Sequence, residues 1–318
     1  MKRIKILLSL TLICLTVLTP LSGCEEKEDK VTVVCTIFPI YDWARQVVGD
    51  SDRVELKLLM SDGADLHSFQ PTAKDAIAIR TADIIIRVGG VDDGFINGLL
   101  EDGKNLDLRL METEGVTLRH AATSSHHSHD DGHHHAVDEH IWLSLKNAAA
   151  CVDAIRESIS KADPDNAEKY RKNADAYIER LSTLDEEYRQ TTAAAEAPRV
   201  IFADRFPFVY LTADYGIEYA AAFEGCTTDA EAGFDTILGL SEHLEEWGLS
   251  YICVTETSDG KLYRAICDLN EGKEIRSAVF DSMQSVKRTD IESGTTYIGI
   301  MEKNLKVLKE VFNDTDRM

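Results

Sequence analysis

The sequence predicts an α/β protein of two lobes, each a mostly parallel sheet flanked by helices, joined by one long rigid helix. Three observations carry this. Short β-rich runs alternate with helical patterns over residues 31–89 and again after Pro198, the order expected of βαβ units. Between these regions, apolar residues recur at spacings of three and four from Ala167 to Tyr188, as on one amphipathic helix. The chain has 318 residues, enough for two cores even after a leader is removed.

The leader is MKRIKILLSLTLICLTVLTPLSGC. Lys2, Arg3 and Lys5 form a positive start, and Ile6 to Leu18 is an apolar stretch of signal-peptide length, too short for a comfortable bilayer span. It ends in LSGC, which resembles a bacterial lipobox. Cys24 is therefore the expected lipidation site and mature N-terminus; an ordinary secretory signal or short anchor is the alternative. The expected divisions are a signal at 1–23, a charged tether at 24–30, a first lobe at 31–163, a connecting helix at 164–195 and a second lobe at 196–318.

In the first lobe, VTVVCTI (31–37) reads as a strand and YDWARQVVG as a helix. RVELKLLM (53–60) is a strand, TAKDAIAIRTA (72–82) a helix, and DIIIRVG (83–89) a buried strand by its continuous apolar run. Residues 120–135 lack periodicity and read as a mobile histidine-rich loop. Helical character then runs from Leu145 to about Ala195. Pro164 interrupts it, and Asp163 or Asp165 is placed to cap the restart. The second part is one helix of roughly 28 residues, about 42 Å at ~1.5 Å per residue. Beyond Pro198, RVIFA (199–203), SYICVTE (250–256) and SAVF (277–280) read as strands, with helices at 234–247, 259–270 and 295–312.

The net charge of −22 becomes −25 when the three cations of residues 1–23 are removed. So acidic a surface argues against nucleic acid and anionic lipid and suits a cationic ligand. Of seven cysteines, Cys35, Cys151, Cys226, Cys253 and Cys267 remain beyond Cys24, with no CxxC spacing for a zinc knuckle or redox motif. One disulfide among them, or burial as small apolar residues, are both open readings.

Candidate chemistry lies at strand ends, where open α/β sheets bind ligands. His67 falls between a strand and a helix, Asp204 directly follows RVIFA, Asp281 directly follows SAVF, and His140 sits in DEHIWL. Two imidazoles and two carboxylates suit a divalent transition metal. Singly, each has a plainer role: a solvated loop histidine, or an aspartate capping a helix. No HExxH, G-x-S-x-G or nucleophile–base pairing supports a hydrolase, so no enzyme is expected.

Taken together, CTIFPIYDWARQVVGD, GADLHSFQPTAKDA, DEHIWLSLKNA and the DP…A..Y..NA..Y run resemble, nearly end to end, the metal-specific family of ABC-importer substrate-binding proteins. The resemblance implies an interlobe site for Zn²⁺ or Mn²⁺, with His67 and His140 as first-lobe ligands and Asp281 as the last ligand. The second lobe departs from the pattern. FADRFPFVYLTADYG puts Ala203 where the family usually carries a ligand, leaving Asp204, water, Glu224 or Glu256 to replace it; Asp204 is preferred. His126, His127, His129, His133, His134 and His135 match the His/Asp-rich loop of zinc-binding members and imply an auxiliary metal loop. The implied protein is a lipid-anchored, monomeric receptor that hands its metal to an ABC permease and its ATPase. A Mn²⁺ receptor, an adhesin or a zinc hydrolase on a similar fold are the alternatives.

Overall fold

The computed structural model describes residues 30–64, 66–101, 103–120, 137–223 and 232–315. Cys24, the six loop histidines from His126 to His135, Glu224 and Cys226 lie outside the described residues.

The first sheet is built from β1 (Val31–Cys35), β2 (Val54–Leu58), β3 (Ile84–Arg87) and β4 (Leu106–Arg109), in the order β2-β1-β3-β4. All pairings are parallel; Val33 lies opposite Leu56 on one side and Ile84 on the other. Helices α1 (Phe38–Val48) and α2 (Ala73–Thr81) connect the strands. Successive residues feed opposite layers: Val33, Cys35, Ile84 and Ile86 join the large core with Trp43 and Val47, while Val34 and Ile85 pack with Ile79 and Ile96. Burial on both faces explains the unbroken apolar run of β3. Thr72 and Asp75 cap α2 reciprocally, each side chain accepting from the other's backbone N–H.

The second sheet repeats this plan. Its strands β5 (Arg199–Phe202), β6 (Glu218–Ala221), β7 (Tyr251–Thr255) and β8 (Arg276–Phe280) take the order β6-β5-β7-β8, again all parallel. The sequence shows no internal repeat, yet the two sheets share one strand order.

Between the sheets lie α3 (Leu145–Ala162) and α4 (Ala167–Ala194), separated by a single 3-10 turn at Pro164–Asn166. The 28 residues of α4 match the length expected from its periodicity. Neither aspartate caps it: Asn166 holds the N-cap position, and Asp163 instead accepts bonds from Tyr170 Oη and Asn166 Nδ2. The helix packs on both lobes. Asn173 Nδ2 donates to Val47 O of α1, and Tyr188 Oη donates to Met301 O of the last helix, α9 (Tyr297–Thr315). Between β5 and α9 come α5 (Val209–Tyr215), α6 (Phe234–Glu246), α7 (Lys261–Leu269) and α8 (Arg288–Glu292).

The start of α9 reaches across to the first lobe. Tyr297 N donates to Asp42 Oδ2 at 2.8 Å, its hydroxyl donates to Trp142 O at 2.6 Å, and its ring meets Trp43 edge-on at 5.1 Å. One core therefore runs through both lobes. Cys35, Cys151 and Cys253 are buried free thiols, raised above their ordinary pKa by burial, and Cys267 is free and half-buried. Among the described residues no helix is long and apolar enough to cross a membrane.

Candidate metal centre

The C-terminal ends of both sheets carry the polar residues singled out from the sequence. His67 sits in a short 3-10 turn, Leu66–Ser68, after β2. His140 precedes a second such turn, Ile141–Leu143. The two rings meet: His67 Nε2 lies 3.1 Å from His140 Nε2.

Each ring is oriented by its own carboxylate. His67 Nδ1 lies 2.7 Å from Asp92 Oδ2, and His140 Nδ1 lies 2.9 Å from Asp138 Oδ1. An ionised carboxylate only accepts, so it takes the Nδ1–H and turns Nε2 of each ring toward the other. The hydrogen bond from His67 holds the Asp92 carboxyl below its ordinary pKa against the opposing effect of burial. Asp138 Oδ1 also accepts from His140 N at 2.9 Å, so one oxygen fixes both backbone and ring. The His140 ring stands edge-on to Trp142, with centroids 5.0 Å apart.

At 3.1 Å the two Nε2 atoms are within hydrogen-bond distance, a separation that one shared proton or one metal ion satisfies. Nitrogens bound ~2.0–2.1 Å from one tetrahedral zinc stand about 3.3 Å apart, close to the separation of this pair. The geometry suits a metal that accepts imidazole.

Behind Asp92, the side chain of Glu139 accepts from Val91 N at 2.5 Å and from Asp92 N at 3.2 Å. Burial, then the neighbouring Asp92 charge, raises its pKa above the ordinary carboxylate value. The carboxylates Asp92, Asp138 and Glu139 around the pair were not singled out from the sequence. Asp138 and Glu139 directly precede His140 in the sequence, a readable signal, although the turn Glu139 bonds is distant; Asp92 is linked to the site only through the fold.

The second lobe arranges its carboxylates differently. Asp281 follows β8. Its backbone is clamped by Asn304, which accepts from Asp281 N and donates to Asp281 O, both at 2.9 Å. Asp281 Oδ1 accepts from Met283 N at 2.8 Å, and Met283 takes a left-handed φ of 65°. Burial, reinforced by the charge of Glu256, pushes the Asp281 carboxyl up to about 6. Glu256 accepts from Ser282 N, Ser282 Oγ and Ser285 Oγ. Asp204 accepts from Thr255 Oγ at 2.8 Å, from Thr255 N at 3.3 Å and from Arg205 N at 2.8 Å. Ala203 points the other way, into the apolar cluster of Ile201, Leu240, Leu244 and Ile252.

The lobes touch beside the histidines. Trp142 Nε1 donates to Ser282 O at 2.9 Å, and Asp62 bridges Lys287 in antiparallel fashion. Thus the structure brings His67 and His140 together and holds Asp204 and Asp281 within the second lobe. Among the described residues no group of three or more His, Cys, Asp or Glu converges to hold a metal.

Twin parallel sheets, a long helix packed on both and a carboxylate-oriented imidazole pair define a two-lobed binding protein. Residues 33–311 match the family model of the zinc-uptake complex component A, periplasmic, and the chain belongs to that family. It is 31% identical over 314 residues to the zinc-binding lipoprotein AdcA of Streptococcus pneumoniae, covering 98% of this chain and 61% of the relative. The chain thus spans about three fifths of that protein's length. It is 29% identical to the high-affinity zinc uptake system protein ZnuA of Bacillus subtilis, covering 90% of this chain and 89% of the relative. The zinc-bound ZnuA-like domain of S. pneumoniae AdcA superposes with a TM-score of 0.70 at 28% identity, over 89% of this chain and 99% of that one.

Proposed function

We propose that the protein captures Zn²⁺ outside the cytoplasmic membrane, held there by lipid on Cys24, and delivers it to an ABC permease driven by its ATPase. The observation that carries this reading is the His67–His140 pair: two Nε2 atoms 3.1 Å apart, each ring held by a carboxylate on its Nδ1. Family membership and the zinc-binding names of the relatives support the same cargo. Zinc is cargo here, and the protein acts as a receptor rather than an enzyme.

Asp281 is the third ligand in this proposal. Asp204 is the fourth, exchanging its bonds to Thr255 for the metal, and water takes that place if the exchange does not occur. The histidines between His126 and His135 are an auxiliary, weaker store. Mn²⁺ competes only to the extent that the second lobe's carboxylates outweigh the imidazoles.

Elemental analysis and native mass spectrometry of protein purified without added metal test the proposal, followed by calorimetry with Zn²⁺ and Mn²⁺. One tightly held zinc per chain is expected. Preferential retention of manganese, or no metal in a folded protein that also fails to bind added Zn²⁺, would overturn it.

A further inference from the structure

We infer that Glu139 is a positioning residue for the metal site: it holds the turn at 90–92, and through it Asp92 and the His67 ring, in the metal-receptive arrangement, with Gly90 leaving the space it needs. The inference rests on the zinc-receptor reading and adds to it a residue beyond the two imidazoles and the carboxylates on their Nδ1 atoms.

Glu139 is buried and accepts from two successive backbone groups, Val91 N and Asp92 N. Those bonds fix the backbone from which Asp92 reaches His67 Nδ1. A Cβ added at Gly90 would lie 2.1 Å from Glu139 Cδ and 2.2 Å and 2.4 Å from its carboxylate oxygens. Gly90 is not among the glycines with positive φ, so glycine is needed there for space rather than for backbone conformation. A carboxylate buried beside the Asp92 charge costs free energy that an apolar side chain would not. Its bonds repay that cost where they hold the one turn that orients a ligand. Three consecutive residues then serve both rings: Asp138 orients His140, Glu139 acts on His67 through Asp92, and His140 is itself half of the pair.

The tests are zinc calorimetry and ¹H–¹⁵N spectra of the histidine rings in metal-free protein. Glu139→Ala is expected to weaken zinc binding ~10–100-fold, the usual effect of losing an outer-shell partner. The fixed Nδ1–H form of His67 should be lost while that of His140 persists. Glu139→Gln keeps an acceptor and should restore most of both. Gly90→Ala should reproduce the Glu139→Ala result in the native background and add nothing once Glu139 is alanine, because the clash is then gone. Wild-type affinity and unchanged His67 signals in Glu139→Ala overturn the inference, even if that variant melts at lower temperature. Equal cost of Gly90→Ala with and without Glu139 overturns it too. A wild-type protein that binds no zinc overturns the receptor reading instead, while the ring spectra still decide the role of Glu139.

Discussion

In the first lobe, two imidazoles stand with their Nε2 atoms 3.1 Å apart, because a carboxylate occupies the far nitrogen of each ring. In the second lobe, at the matching ends of a sheet with the same strand order, the carboxylates are already engaged with backbone and hydroxyl donors. On the proposed function, the first half-site is organised before the ligand arrives, and the second must surrender hydrogen bonds, and below about pH 6 the Asp281 proton, before it coordinates. Identical topology thus supports two kinds of half-site, and the difference lies in what satisfies each donor atom.

Removing an imidazole should break this comparison most severely. His67→Ala or His140→Ala is expected to weaken Zn²⁺ binding by more than ~100-fold, beyond the cost of an outer-shell loss, with the fold intact by circular dichroism. Calorimetry showing native affinity in both would remove the first lobe from the site. Next come the orienting carboxylates. Asp92→Asn and Asp138→Asn should each cost ~10–100-fold in affinity. Asp138→Asn should also lower the melting temperature, since Asp138 Oδ1 accepts from the His140 backbone as well.

The second lobe sharpens the contrast through pH. The Asp281 carboxyl is raised to about 6, so the folded protein holds that proton more tightly than the unfolded chain does. Its contribution to stability is therefore present at low pH and lost as pH rises through 6. Asp281→Asn should raise the melting temperature of metal-free protein at pH 7, with the gain vanishing near pH 4, while zinc affinity falls. Binding by the native protein should weaken below about pH 6, where imidazole and this carboxyl both protonate. Asp204→Ala should lower zinc affinity and also cost about 1–3 kcal/mol of stability, because it strips an acceptor from the buried Thr255. A loss of stability with unchanged zinc affinity would leave the fourth position to water. The smallest effect is expected from deleting 121–136: weaker metal equivalents disappear from the titration and the tight one stays.

Much of this was legible in the sequence. His67 and His140 stood out because each lies in a short motif whose neighbours are themselves distinctive, and the length of α4 followed from its spacing. The edge strands β4 and β6 were not read, because they lack the apolar run that marks central strands such as β3. Asp92 and Glu139 were hidden for another reason. Their partners lie 25 and 47 or 48 positions away, and no local pattern encodes a carboxylate meeting a turn from a distant loop. The link from Tyr297 to Asp42 spans 255 positions and was equally invisible.

That last contact bears on how the protein comes into being. A polypeptide emerges N-terminus first, and domains generally fold as their segments become available. Here the ring that covers Trp43 and the hydroxyl that bonds Trp142 O belong to a residue made after every strand of both sheets. Until Tyr297 arrives, Trp43 lacks its aromatic neighbour and the carbonyl two residues beyond His140 lacks its donor. The nascent first lobe therefore remains unfinished, and on the proposed function metal competence becomes a property of the nearly completed chain rather than of either half.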